Sequence, residues 1–398
     1  MFIGLVGKPS SGKSTFFKAL TLMDVATANY PFTTIKPNSG VGFVKIDCVD
    51  KELGTQCNPR EGYCMHHKRF VPVQILDVAG LVPGAHEGKG LGLEFLNDLS
   101  QADALIHIVD VSGSLNEKGE PIEKLSYNPA NDIRFLEYEL DMWYYQIFQK
   151  VWKKFSSKVN QTKENIVKAI ASQFSGLKVN EDMVKAKMRA LNLLDKPIIN
   201  WTDEELKALT TELRKETKPI IIAANKIDVA GAEEKFQKLK QEFPHLIIIP
   251  CSAEAELALK EAAKHGLIEY LPGEKDFKVL DESKLTDKQK TALNFIKAGL
   301  LSKYSTGVQE VINEAVFDLL KYVAIFPGGV NKLEDSQGRR LPDCFLMKPG
   351  TTALDFAFHL HTDLGNGFIR AINVKTKMGM KKEEPLKHRD VIEIVSNK

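Results

Sequence analysis

The chain is expected to fold as an α/β protein, a parallel-rich sheet with flanking helices, interrupted by a helical insertion and followed by a small module of short strands around one helix. Three observations carry this expectation. The apolar run Phe2 to Val6 passes directly into a glycine loop, Gly7 to Ser14, and then into the helix-compatible segment Thr15 to Leu20. Buried-strand patterns recur at Val71–Leu76, Ala104–Asp110, Pro219–Ala224 and Leu246–Ile249, with helical stretches between them. Beyond Phe326-Pro327-Gly328-Gly329 the pattern changes to short strands, Phe345–Met347, Phe368–Ala371 and Val391–Val395, around a helix at Thr352–His361.

The first strand and loop read Gly7-Lys8-Pro9-Ser10-Ser11-Gly12-Lys13-Ser14. The glycines let successive backbone N–H groups turn toward phosphate oxygens, Lys13 reaches the β- and γ-phosphates, and Ser14 offers a hydroxyl to Mg²⁺. A helix starting near Thr15 directs its positive end at the same anion. A glycine- and serine-rich surface turn is the plain alternative. It weakens because further elements follow in order, each at the end of a strand.

Asp77-Val78-Ala79-Gly80 closes the run ending at Leu76, placing a carboxylate and a flexible glycine where ligands bind parallel sheets. Asp77 is expected to hold Mg²⁺ through water, and the Gly80 N–H to sense the γ-phosphate. Asn225-Lys226-Ile227-Asp228 ends the strand pattern at Ala224. A carboxylate there accepts both the N1–H and N2–H₂ donors of guanine, whereas adenine would leave Asp228 unpaired. Cys251-Ser252-Ala253 follows the last strand, where a backbone N–H can meet guanine O6.

Taken together these elements resemble the P-loop GTPases, and two segments narrow the resemblance to the Obg-like superfamily, nearest its YchF-related branch. Asn29-Tyr30-Pro31-Phe32-Thr33-Thr34-Ile35-Lys36-Pro37-Asn38 resembles that group's first switch, and the glycine-rich run Gly80 to Gly92 its second. The resemblance implies GTP and GDP as ligands with Mg²⁺, held by Ser14, Thr34 and Asp77, and GTP hydrolysis in which Lys13, Thr34 and Gly80 take part. The position after Gly80 is Leu81, which cannot orient water as the glutamine of Ras-like enzymes does, so slow intrinsic hydrolysis is expected. Ser10 stands where many relatives carry an asparagine tied to a potassium site. YchF proteins usually replace the final aspartate of the base motif by glutamate and prefer ATP, whereas Asp228 is retained here, which favours GTP. His107 lies on a strand and reads as structural.

The switch segments lie in a chain of 398 residues with 54 basic and 52 acidic side chains, so any nucleic-acid surface must be local. No apolar stretch reaches the ~18 residues of a membrane span, and a strand starting at residue 2 leaves no room for a signal peptide. A cytoplasmic monomer without membrane contact is therefore expected. The five cysteines fit a reducing compartment in number. Cys48, Cys57 and Cys64, followed by His66 and His67, match no standard zinc spacing. A metal, a Cys57–Cys64 disulfide and plain thiols all stay open.

The stretch from Gly80 to Asn225 far exceeds one helix, strand and helix. After the polar loop Ser112 to Pro121, apolar residues at helical spacing run over Ile133–Phe155 and Lys163–Leu194, giving a helical insertion at 112–215 within a GTPase domain at 1–321. A second helical interruption is expected over 256–304, before a last helix opened by Tyr304 to Gly307. In the insertion, Lys150, Lys153, Lys154, Lys158, Lys163 and Lys168 stand with Trp152 and Phe155 interleaved, either a solvated face or an RNA contact. Residues 322–398 resemble a TGS domain, a β-grasp module, carried by His359-Leu360-His361-Thr362-Asp363 and the closing Asp390-Val391-Ile392. The resemblance implies a ribosome or RNA partner, with Lys375, Lys377, Lys381, Lys382, Lys387 and Arg389 as a basic edge. Three functions remain: a GTP-hydrolysing switch, a YchF-type ATPase, and an RNA-binding TGS protein with a structural nucleotide site.

Overall fold

The computed structural model describes residues 1–22, 38–78 and 99–397. Its strands are β1 (Phe2–Val6), β2 (Ser39–Asp47), β3 (Tyr63–Met65), β4 (Lys68–Asp77), β5 (Ala104–Asp110), β6 (Ile220–Asn225) and β7 (Ile247–Pro250). They continue as β8 (Ile268–Glu269), β9 (Lys278–Val279), β10 (Val323–Pro327), β11 (Phe345–Met347), β12 (Phe368–Asn373), β13 (Met378–Met380) and β14 (Val391–Ser396). The helices are α1 (Lys13–Thr21), α2 (Ala130–Thr162), α3 (Ile166–Gln173), α4 (Glu181–Ala190), α5 (Asp203–Thr217) and α6 (Ala232–Glu242). They close with α7 (Ala253–Lys264), α8 (Asp287–Phe295), α9 (Val308–Glu314), α10 (Ala353–Leu360) and α11 (Thr362–Asn366). The chain forms two compact units, Met1–Ser14 with Leu76–Cys251, and Thr15–Ile75 with Ser252–Lys398.

In the first unit β1, β5, β6 and β7 run parallel in that order, with Leu5 opposite Ile106, Ile106 opposite Ile221, and Ile222 opposite Ile248. Every residue of β5 and β6 is buried. Both faces of these strands are covered, which is why their sequences read as apolar runs without alternation. The carboxyl ends of β1 and β6 deliver Gly7 and Asn225.

Helix α2 buries Ile133, Leu136, Leu140, Tyr144 and Phe148, one stripe at helical spacing. The continuous helical run expected over Lys163–Leu194 is instead broken. Lys163 takes a left-handed φ of 51°, and the Asn165 and Asn180 side chains accept from the Lys168 and Met183 N–H groups to start α3 and α4. Trp152 stacks on Trp201 at 5.4 Å, and Phe155 meets Phe174 edge-on at 6.1 Å. The aromatics interleaved with the insertion's lysines are thus spent on internal packing.

In the second unit β2 neighbours β4, and β3 and β4 form a hairpin turned by His66 and His67 at φ 48° and 59°. The stretch after α7 is not wholly helical as expected. Pro272-Gly273, with Gly273 at φ 82°, turns the chain between the antiparallel β8 and β9, and only then does α8 begin. The last helix of this region, α9, starts after Gly307 at φ 79°. The C-terminal sheet has the order β11-β10-β14-β12-β13 over a core of Ile325, Phe356, Ala371 and Ile392. Thr352 and Asp355 form a reciprocal cap at the start of α10.

Candidate functional site

The loop after β1 is closely packed. A Cβ on Gly7 would lie 2.8 Å from both the Ile108 carbonyl and the Ser11 hydroxyl. Gly12 has φ +99°, and its Cβ would lie 2.2 Å from the Asn225 side-chain nitrogen. Only glycine fits there. The Ser11 N–H donates to the Lys8 carbonyl at 3.3 Å, Ser10 takes φ 62°, and Pro9 and Ser10 are exposed. The Ser11 hydroxyl is fully buried with no partner among the described residues.

Lys13 opens α1 and its ammonium pairs with the Asp77 carboxylate. Asp77 is brought to the loop because β4 ends there and the following Val78 N–H donates to the Leu5 carbonyl at 3.2 Å. The Ser14 hydroxyl is exposed. A cradle emptied of Cβ atoms, an ammonium, a hydroxyl and a carboxylate fit a Mg²⁺–nucleotide phosphate group, since Mg²⁺ prefers hard oxygen donors. Thr15 is half-buried on the same helix. Thr34, Gly80 and Leu81 lie outside the described residues.

Lys8 does not aim its side chain at this cradle. Its ammonium lies 2.9 Å from Asp132 on α2 and 3.2 Å from the Leu115 carbonyl, over the Tyr127 ring. Burial pushes the Asp132 carboxyl above the ordinary carboxylate range, against the pull of Lys8. Gly119, at φ +79°, is pressed against the Pro9 carbonyl. The segment from Ser112 to Asp132 therefore grips the glycine loop from outside. Asp132 was not among the residues singled out from the sequence, and Gly119 was read only as part of the polar loop Ser112 to Pro121, not as a contact of the glycine loop.

At the end of β6, the Asn225 amide donates to the Ser11 carbonyl at 2.9 Å. Lys226, at φ 65°, places its ammonium 2.9 Å from Asp110, whose other contacts come from Ser112 and Ser114. Asp110 is a further residue missed from sequence, although it is a strand-end carboxylate like Asp77. The Ile227 N–H donates to the Cys251 carbonyl at 3.0 Å, which braces the loop carrying the half-buried Asp228. Ser252 and Ala253 are both buried, and Ser252 caps α7 by accepting from the Ala255 N–H at 3.3 Å.

His107 is buried in the sheet, and burial together with the neighbouring Lys8 holds its imidazole down at about 3, neutral at physiological pH. In the C-terminal module Lys375 pairs with Glu52 at 2.7 Å and Arg389 also pairs with Glu52. Part of the expected basic edge is therefore neutralised. His359 packs edge-on against Phe345 at 5.1 Å, while His361 caps α11. In the insertion, Lys150, Lys153, Lys154 and Lys158 line a surface cavity with Glu164. None of the five cysteines is joined in a disulfide. Among the described residues no helix is long and apolar enough to cross a membrane.

Three family descriptions match the chain: "50S ribosome-binding GTPase" over residues 2–136, "Obg-like GTPase YGR210-like, G4 motif-containing domain" over 223–329, and "TGS domain" over 335–396. The chain is 49% identical over 395 residues to the uncharacterized GTP-binding protein MJ1332 of Methanocaldococcus jannaschii, covering 99% of this chain and 98% of that protein. It is 27% identical over 385 residues to the ribosome-binding ATPase YchF of Bacillus subtilis, covering 93% and 87%. A solved GTP-binding protein from Pyrococcus horikoshii OT3 superposes with a TM-score of 0.79 at 40% identity, over 100% of both chains. The motifs, the fold and these likenesses agree: the chain belongs to the Obg-like P-loop GTPases, in their YchF-related branch, with a C-terminal TGS domain.

Proposed function

We propose that the chain binds a guanine nucleotide with Mg²⁺, hydrolyses GTP to GDP and phosphate, and acts as a nucleotide-dependent switch for a ribosome or RNA partner. The observation that carries this reading is the bond from Asn225 to the Ser11 carbonyl. It ties the base-reading loop to the phosphate loop and so fixes the span a nucleotide must match. Gly7 to Thr15 would line the phosphates with backbone N–H groups, and Lys13 would meet the terminal phosphates. Asn225, Lys226 and Asp228 would frame guanine, with the Ser252 and Ala253 backbone near O6. Ser14, Asp77 and Thr34 would hold Mg²⁺, which when bound offsets the charge developing on the phosphates. The Gly80 N–H would report the γ-phosphate.

The two named relatives support GTP binding differently. MJ1332 is named a GTP-binding protein, whereas YchF of Bacillus subtilis is named a ribosome-binding ATPase. The ATPase name favours the second reading, in which adenine nucleotides are preferred. Titration of the purified protein with both nucleotides separates the two. GTP and GDP are expected to bind at least ~10-fold, about 1.4 kcal/mol, more tightly than ATP and ADP. Equal affinities would overturn the guanine preference, and a reversed preference would favour the ATPase reading.

The partner would be read through the helical insertion at 112–215 and the TGS domain at 322–398, on a monomeric cytoplasmic protein whose GTPase domain spans 1–321. The grip of the Ser112–Asp132 segment on the glycine loop supports the first route. With Leu81 in place of glutamine, basal hydrolysis is expected at on the order of 10⁻³ s⁻¹ or less, rising with the partner. Leu81→Gln should change it less than about fivefold and Thr34→Ala should cost at least about tenfold.

A further inference from the structure

Outside the nucleotide site, the described residues bring three thiols and a buried carboxylate to one point. The Sγ atoms of Cys48, Cys57 and Cys64 and a carboxylate oxygen of Asp50 all lie within 4.8 Å of one another. Cys48 and Cys57 are 3.5 Å apart, and Cys64 lies 3.9 Å from Asp50 Oδ2. Four ligands around a zinc ion at ~2.3 Å for sulfur and ~2.0 Å for oxygen stand roughly 3.5–3.8 Å from one another. No two of these four atoms are farther apart than 4.8 Å, near enough for small side-chain shifts to seat such an ion. We propose that Cys48, Cys57, Cys64 and Asp50 form a structural zinc site.

The scaffold is built for it. Cys48 leaves β2 with its N–H bonded to the His67 carbonyl at 2.8 Å, and the β3–β4 hairpin folds Cys64 back beside it. Asp50 is fully buried. Its Oδ2 accepts from the Cys57 N–H at 3.0 Å, and its Oδ1 faces His67 Nδ1 at 3.0 Å, the outer contact that orients a ligating side chain. Three thiolates with one carboxylate select zinc over magnesium or calcium. The unusual spacing follows from ligands supplied by a strand end, a loop and a hairpin rather than by two paired turns.

The site would serve the C-terminal module. The loop it pins donates from the Asn58 N–H to the Arg340 carbonyl at 2.8 Å and from the Arg60 N–H to the Pro342 carbonyl at 2.9 Å. Arg69 adds bonds to the carbonyls of Leu341 at 3.1 Å and Pro342 at 2.8 Å. Zinc would thus stiffen the seat of the segment that enters the TGS domain.

The test is elemental analysis of full-length protein expressed with zinc and purified under reductant without chelator. About one zinc per chain is expected, lost in Cys64→Ser and retained in Cys251→Ser, and its removal by a strong chelator should lower the melting temperature. Because Cys64→Ser can fail to fold, the chelated wild type is also titrated with Co²⁺. Thiolate-to-cobalt charge transfer and the strong visible bands of tetrahedral cobalt are expected. Zinc below about a tenth per chain with no such bands, or a Cys57–Cys64 disulfide in the reductant-purified protein, overturns the proposal.

Discussion

The Asn225 amide and the Ser11 carbonyl, 214 residues apart in sequence, are joined by a 2.9 Å hydrogen bond, and Gly12 leaves the space through which that side chain passes. The base-reading and phosphate-binding loops are therefore one mechanical piece. Asn225→Ala should leave the buried Ser11 carbonyl unpaired at ~1–3 kcal/mol, weakening GDP binding by roughly 5- to 150-fold. Gly12→Ala, which meets both the Asn225 amide and a left-handed φ of +99°, should be at least as damaging. Calorimetric GDP titration checks both, with circular dichroism to show the fold is kept.

Lys13 and Asp77 share one ion pair. Lys13→Ala is expected to abolish measurable phosphate release. Asp77→Asn should raise the Mg²⁺ concentration needed for half-maximal nucleotide binding at least ~10-fold, because a carboxamide is a poorer ligand for a hard cation. If Lys13→Ala turns over at the parent rate, the phosphate-loop role is wrong.

For the base, Asp228→Asn should move preference from guanine toward xanthine nucleotides by at least ~10-fold, since an amide donates where a carboxylate only accepts. Competition between GTP and XTP for the variant reads this directly. An unchanged ratio would place base recognition elsewhere.

The pair Lys8–Asp132 is buried, with 7% and 9% of the side chains exposed. Asp132→Ala strands the Lys8 charge and should cost about 3 kcal/mol in urea unfolding. The double variant Lys8→Met, Asp132→Leu should recover most of that loss, because replacing a buried pair whole is far less costly than breaking it. Equal damage from the two would mean the cost is one of packing.

His107 ties stability to pH. Its imidazole is held at about 3 in the fold against an ordinary 6.5, so the unfolded chain binds the extra proton between these values. Stability from this group is full above 6.5 and is lost as pH falls toward 3. In His107→Leu the fall in unfolding free energy from pH 7 to pH 4 should be smaller by about 3 kcal/mol. An identical fall in both proteins would show that His107 is already charged or solvated.

The parallel strands and the glycine loop were legible because their information is local: an apolar run covered on both faces, then residues whose backbone the turn demands. The break of the Lys163–Leu194 run was written in Asn165 and Asn180, capping residues outweighed by the surrounding apolar periodicity. The β8–β9 hairpin was missed because two-residue strands carry no periodicity, though Pro272-Gly273 marks the turn. Lys8 with Asp132, Lys226 with Asp110, and the cysteines with Asp50 join distant segments. No spacing rule contains those contacts, only the three-dimensional path of the chain.

The two compact units are each assembled from separated stretches, and this sets an order on biosynthesis. Residues 15–75 belong with residues 252–398, so the early segment must wait for about 180 intervening residues before its partner begins to emerge, roughly 10–35 s at ~5–20 residues per second. During that interval β2, β3 and β4 lack the later half of the unit to which they belong. The nascent protein is thus expected to engage chaperones until residues 252–398 have emerged, while the other unit can close as soon as Cys251 has cleared the exit tunnel.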